Sequence, residues 1–298
     1  MSQAAWQAEF EKYKAIPQYS AVNRGMSLDG FKTIYWWEWT HRMLGRLIGA
    51  VFLLPFLFFL WRGWVDRPLQ RRLWMIFGLG ALQGALGWWM VASGLVERID
   101  VSQYRLAAHL TLACLIYAAI LWTVQRLTPG ISVQVPARLR VSAIMLLVLV
   151  LAQIYLGALV AGLDAGLIYN SWPLIDGRLI PPAADLLPLH PIGRNFFETV
   201  LTVQFDHRMM AYLLWIGVVL HFFDTARTGA RGTMVGAGLL AATVTIQAAL
   251  GILTLLYQTP IALALLHQAM ALVVLTSAVQ HTGRLQATSD VVLAGARV

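Results

Sequence analysis

Four histidines stand within long apolar stretches of this chain: His41, His109, His207 and His267. An ionisable group inside a bilayer is costly and usually faces the interior of a helix bundle, and imidazole is a common metal ligand. Any one of them alone reads equally well as a structural core histidine. Together they form a pattern, two to each half of the chain. Within each half the two helices run in the same direction, so the rings of a pair reach matching depths. Two imidazoles leave a tetrahedral zinc site incomplete, and no cysteine or carboxylate cluster accompanies either pair. They do complete the axial positions of haem iron, because the porphyrin supplies the other ligands. A flat macrocycle gripped between helices of a bundle is the chemistry these residues predict. The remaining histidines, His190, His221 and His281, fall in an outer loop, near an inner helix end and near the inner C-terminus, and form no such set.

The residues beside the histidines refine this reading. Arg42 and Arg208 directly follow the first histidine of each half, and Arg46 lies one turn deeper. They suit charge-assisted pairing with haem propionates; the plainer reading is snorkelling to lipid phosphate. Glu38 precedes His41 by three residues, whereas Gln204 holds the matching place before His207. A carboxylate near an iron-bound substrate can move protons or stabilise a cationic intermediate; otherwise it is an interfacial charge among Trp36, Trp37 and Trp39. Asp206 reads as an N-terminal helix charge. The contrast between Glu38 and Gln204 suggests a haem that is chemically changed in the first half and a permanent electron-transfer haem in the second.

The elements that position these groups are membrane helices. Of 298 residues, 59% are hydrophobic and only 12% charged, about half the charge of a soluble domain. Apolar runs predict seven spans, approximately Arg42–Trp61, Leu73–Leu95, Arg105–Val124, Val141–Leu163, Val200–Phe223, Thr233–Tyr257 and Ile261–Thr282. Segments Arg62–Arg72, Arg126–Arg140, Asp224–Arg231 and the tail after Thr282 would share one side. They hold eleven bases, Arg297 the last, against Asp66, Asp224 and Asp290, so the whole formal charge of +8 sits on that face. The positive-inside rule makes it cytoplasmic. The expectation is a multi-pass protein of the bacterial inner membrane, with haem sites toward the periplasm and a cytoplasmic C-terminus. The basic balance thus reports topology and gives no argument for nucleic acid. Cys114, the single cysteine, lies in an apolar run and excludes an internal disulfide. Met1 to Trp39 has no apolar core of a signal peptide, since Glu9, Glu11, Lys12 and Lys14 interrupt it.

The chain reads as two tandem halves. Trp39-Thr40-His41-Arg42-Met43 echoes Phe205-Asp206-His207-Arg208-Met209, Gln83-Gly84-Ala85-Leu86-Gly87 echoes Gln247-Ala248-Ala249-Leu250-Gly251, and His109 echoes His267. The predicted organisation is an extracytoplasmic N-terminal segment (1–41), a first-half bundle holding the substrate haem (42–140), a second-half four-helix bundle with the resident haem (141–283) and an outer loop at 164–199, and a cytoplasmic tail (284–298). The second half has a helix and a long loop before its His-Arg helix. The first half has only the loop, so three spans stand against four, and the expectation is that an opening span is missing from the first half. Trp36, Trp37, Trp39, Trp88, Trp89 and Trp172 read as an aromatic belt. Gly45, Gly49, Gly87, Gly157 and Gly251 read as close helix contacts. There is no phosphate loop, hydrolase triad or dinucleotide fingerprint.

Longer motifs bring a family into view. Tyr35-Trp36-Trp37-Glu38-Trp39-Thr40-His41-Arg42, the stretch from Leu82 to Leu95, Arg105-Leu106-Ala107-Ala108-His109, Ala161 to Gly166 with Asn170-Ser171-Trp172-Pro173-Leu174, Val203-Gln204-Phe205-Asp206-His207-Arg208 and Leu265-Leu266-His267-Gln268 resemble the haem A synthase family, in its proteobacterial and mitochondrial branch. The resemblance runs from about Phe10 to His281. It implies an all-α integral membrane bundle of two pseudo-symmetric halves, four helices plus four. It implies that His207 and His267 ligate a resident haem b, that His41 and His109 flank the substrate haem O, and that Glu38 is the catalytic carboxylate. The implied reaction turns a porphyrin methyl into a formyl group by successive hydroxylations, giving haem A for terminal cytochrome oxidases. Two departures stand out: the family's first span, with its Gly-Gly-x-Thr-Arg-type motif, is not matched here, and the cysteine pair that some relatives carry in an outer loop is absent, which fits the cysteine-free branch.

Two other readings fit the imidazole pairs. A di-haem b-type cytochrome would pass electrons from quinol without altering haem, and a haem transporter would exchange haem without oxidising it. The contrast of Glu38 with Gln204 favours the enzyme. Its expected partners are haem O and haem A, the lipid bilayer, an electron donor and the farnesyltransferase that forms haem O, because handing on so apolar a substrate favours contact.

Overall fold

The computed structural model describes residues 1–94, 101–128, 135–228 and 230–295, with backbone alone for 93–94 and 287–295. Leu95, part of the 126–140 connection and Arg297 lie outside the described residues. The helices are α1 Gln3–Lys14, α2 Pro17–Ala21, α3 Leu28–Trp61, α4 Arg67–Gly94, α5 Gln103–Leu127, α6 Ala137–Gly162, α7 Ala165–Ile168, α8 Ala183–Leu186, α9 Asn195–Glu198, α10 Val200–Ala226, α11 Arg231–Leu256 and α12 Ile261–Gly295. Seven of them (α3, α4, α5, α6, α10, α11 and α12) are long and apolar enough to cross a bilayer. The chain is an all-helical, multi-pass membrane protein.

The seven expected spans are all present, and the main difference lies at the first. Helix α3 begins at Leu28, well before Arg42, and runs for 34 residues. Ser27 caps it, its hydroxyl accepting from the Gly30 amide at 3.1 Å. His41 therefore lies inside a continuous helix and not at its start. The charged and aromatic stretch ahead of it is helical because aromatic packing covers one face. Trp6 and Phe10 of α1 are buried with Phe31 of α3, and Phe10 stacks on Phe31 with centroids 5.1 Å apart. Helix α1 also carries the pairs Lys12–Glu9 and Lys14–Glu11, and the Lys14 ammonium lies over the Phe10 ring.

Packing divides the chain into two compact units, Met1–Arg105 and Leu106–Val298. In the first, α3 and α4 form a hairpin. Gly63 turns it with φ +66°, and the Asp66 carboxylate caps α4 by accepting from the Leu69 amide at 3.0 Å. Phe56 packs edge-on to Trp74 across the hairpin. The sequence repeat breaks the chain near 140; the packing breaks it near 105.

In the second unit α6, α10, α11 and α12 close a ring, each touching the next and α12 returning to α6. Leu146, Val150, Leu214, Val218, Leu240, Val244, Leu275 and Val279 fill its interior, with Cys114 of α5 among them. Helix α5 is tied to α12 by Tyr117 with Thr276 (2.8 Å) and by the Gln125 amide donating to the Gln280 carbonyl (2.8 Å).

One pairing in this bundle was not expected. His221 of α10 and His281 of α12 are both buried, and their Nε2 atoms lie 2.7 Å apart. The Ser142 hydroxyl of α6 meets His221 Nδ1 at 2.8 Å. A Cβ on Gly236 of α11 would stand 2.6 Å from His281 Nδ1. The polar cluster thus clasps all four helices at one end of the ring. A hydrogen-bonded contact this short leaves no room for a macrocycle between the rings. Gly236→Ala forces the clasp apart and should cost about 1–3 kcal/mol, whereas Gly80→Ala, with nothing within 4 Å of its added methyl, should leave stability unchanged. Thermal unfolding of the two variants in detergent measures the difference.

Candidate haem-binding site

Seven residues after α10 begins stands His207, and six residues after α12 begins stands His267. Both are at the end of the ring opposite the histidine clasp, partly buried, and within electrostatic reach of one another. Each ring is received by the long helix that precedes its own. On α6, the Gln153 side-chain amide lies 3.1 Å from His207 Nδ1 and 3.3 Å from its Nε2, and donates to the His207 carbonyl at 3.1 Å. One turn on, Gly157 faces the same ring, where a Cβ would come within 3.1 Å of Cε1. On α11, Gln247 Nε2 is 3.4 Å from His267 Nε2, and a Cβ on Gly251 would meet His267 Cε1 at 2.8 Å.

These glycines correct the expectation from sequence. Gly157 and Gly251 do not bring two helix backbones together; they make room for an imidazole ring. Gly45 and Gly49 have nothing within 4 Å of an added Cβ, so they mark no close helix contact.

Unsatisfied polar atoms gather around the pair. His267 Nδ1, Gln153 Oε1, Gln247 Oε1 and Arg208 Nε are buried without a hydrogen-bond partner. Native interiors leave few such atoms, and each calls for an explanation. A metal that takes a ring lone pair, carried by a macrocycle with acidic side arms, provides one. The donor set fits haem: paired imidazoles, an arginine, and no group of three or more His, Cys, Asp or Glu side chains among the described residues that would hold a bare metal ion.

Gln204 and Arg208 do work that their positions in the sequence did not reveal. Both are buried in α10. The Gln204 amide donates to the carbonyls of Ala165 and Tyr169, each at 2.9 Å. The Arg208 guanidinium donates to Gln204 Oε1 (2.9 Å), to the Tyr169 carbonyl (3.2 Å) and to the Leu174 carbonyl (3.3 Å). The loop after α6 is thereby fastened over the α10 terminus. Trp172 joins it by donating to the Tyr212 hydroxyl at 3.0 Å. Asn195, fully buried, bridges the amide and carbonyl of Leu189 and the carbonyl of Ile192.

His41, Arg42, Arg46 and Glu38 lie in the first unit and are exposed on α3. Glu38 pairs with Arg42 at 3.2 Å, one turn apart, and Arg46 approaches the Met43 sulfur. His109, partly buried on α5, belongs to the second unit.

With this geometry in hand, known proteins supply the context. Residues 1–279 match the COX15-CtaA family, described as cytochrome oxidase assembly proteins. This chain belongs to that family. Relatives include the heme A synthase of Bradyrhizobium diazoefficiens, 60% identical over 285 residues that cover 96% of this chain and 79% of the relative. The heme A synthase of Rhodopseudomonas palustris strain TIE-1 is 59% identical over 93% of this chain and 75% of its own length. A third, from Bradyrhizobium strain BTAi1, is 60% identical over 96% of this chain and 79% of the relative.

The COX15-CtaA chain described here makes Gly251 the most sensitive backbone position beside the pair. Gly251→Ala should displace the His267 ring at a cost of about 1–3 kcal/mol in stability, with a smaller loss for Gly157→Ala. Thermal unfolding of the purified variants in detergent measures both.

Proposed function

We propose that this chain is a haem A synthase: a membrane oxidoreductase that converts the methyl group of haem O to a formyl group, giving haem A for terminal cytochrome oxidases. The observation that carries the reading is the His207–His267 pair with its unsatisfied polar surroundings, in a chain about 60% identical to proteins that bear this name. His207 and His267 hold a resident haem b, which supplies one-electron transfer when bound. Arg208, with its Nε buried and unpartnered, would pair with a haem propionate. The candidate ligands for the haem O substrate are His41 and His109, with Arg42 and Arg46 for its acidic side arms.

Glu38 is the carboxylate of the reaction. Hydroxylation of a methyl carbon breaks C–H bonds at the porphyrin edge, and a carboxylate there can take up or hand on a proton; Glu38 pairs with Arg42 at 3.2 Å, one turn away. Gln204, at the matching place in the second half, is neutral and spends both ends of its amide on structure. That contrast supports chemistry in the first half and electron storage in the second.

The arginine-rich connections support an orientation with the Arg62–Arg72 side in the cytoplasm and the haem sites toward the periplasm of a bacterial plasma membrane. The partners proposed for it are an electron donor and the farnesyltransferase that makes haem O.

Haem extraction and mass analysis of the purified chain test this reading. The wild type should hold haem b and yield haem A in cells supplied with haem O. His207→Ala should lose the resident haem. His41→Ala should keep it and impair turnover. Glu38→Ala should keep the resident haem and drop haem A to background; a normal yield of haem A from that variant overturns the role of Glu38. Two stable, unmodified haems in every preparation would instead identify an electron-carrying cytochrome.

A further inference from the structure

A single arrangement recurs along the chain. A Gln-x-x-x-Gly segment stands on the long helix that precedes each helix carrying His109, His207 or His267: Gln83 to Gly87, Gln153 to Gly157, and Gln247 to Gly251. In the two cases within the second unit, the glutamine amide and the glycine face the same imidazole. The spacing of four residues puts both on one face of a helix, one turn apart. The glycine lets the ring approach the helix, and the glutamine meets its polar edge.

At His267 the fit is incomplete in an informative way. Gln247 Nε2 lies 3.4 Å from the ring's Nε2, at the limit of a hydrogen bond. Gln247 Oε1 and His267 Nδ1 are both buried and without partners. An amide turned end for end exchanges donor for acceptor in the same volume. Gln247 is free to turn in this way, because its amide has no other contact among the hydrogen bonds described. Gln153 is held by the His207 carbonyl. A histidine that ligates a metal commonly donates its second ring N–H to an oxygen acceptor, which fixes the ring and raises its basicity.

We propose that Gln247 is the positioning residue of the His267 imidazole: its amide oxygen accepts one ring N–H and leaves the lone pair of the other ring nitrogen for iron. The inference rests on the haem-ligating role proposed above for His267. It makes Gln247 the residue through which the second unit sets the electron affinity of its haem. A stronger acceptor at this place gives the ring more imidazolate character and favours ferric iron. An apolar residue does the reverse.

The test compares wild type, Gln247→Glu and Gln247→Leu as purified full-length protein, with haem per chain from the pyridine haemochrome and midpoint potential from spectroelectrochemical titration. The expected order of midpoints is Glu lowest, wild type between, Leu highest, with a low-spin spectrum throughout. Loss of haem from the Leu variant with retention in the Glu variant also supports the inference, since an oxygen acceptor is what the Glu variant keeps. Equal potentials in haem-loaded variants overturn it, as does equal loss of haem from both variants in folded protein. Absence of haem from the wild type would overturn the haem-ligating reading itself.

Discussion

Placing an imidazole among apolar helices is the constraint from which the second unit is built. A ring nitrogen removed from water needs a partner, and a bilayer interior offers none but the protein. The bundle answers twice, in opposite ways. At one end His221 and His281 satisfy each other directly, with Ser142 behind them. At the other, His207 and His267 are kept apart and met from behind by glutamines of neighbouring helices. The first solution closes; the second leaves polar atoms unspent. Each histidine of one pair lies fourteen residues from its counterpart on the same helix, nearly a whole number of turns. The same two helix faces therefore present both.

Much of this was legible in the sequence. Apolar runs marked all seven spans, because twenty residues of hydrocarbon-compatible chain have few other uses. The repeated His-Arg pattern singled out His207, and the matching position His267, which the fold brings within electrostatic reach of each other. What stayed hidden depended on partners far away in the chain. His221 and His281 are sixty positions apart, and no local pattern shows that α10 and α12 turn these faces together. The glycines at 157 and 251 looked like helix contacts because a missing Cβ does not announce which neighbour fills the gap. Gln204 read as a neutral replacement for Glu38, and its burial under the loop carbonyls of Ala165 and Tyr169 emerges only from the fold.

The start of α3 was misjudged for a different reason. Charges and tryptophans before His41 resemble an interfacial segment, and hydropathy alone places the helix start where the apolar run begins. Helix formation obeys hydrogen bonding and capping, not only the bilayer. Ser27 provides the cap, and the aromatic cluster of Trp6, Phe10 and Phe31 supplies the packing that carries the helix outward. The two requirements on one stretch, to be helical and to be apolar, began at different residues.

The four-helix clasp has a bearing on assembly. Ser142, His221, His281 and Gly236 join α6, α10, α11 and α12 at one end, so that end of the second unit is held by side chains of its own. Like a rack bolted at its base, the bundle leaves any adjustment to its other end, where the rings of His207 and His267 and their unspent polar atoms lie.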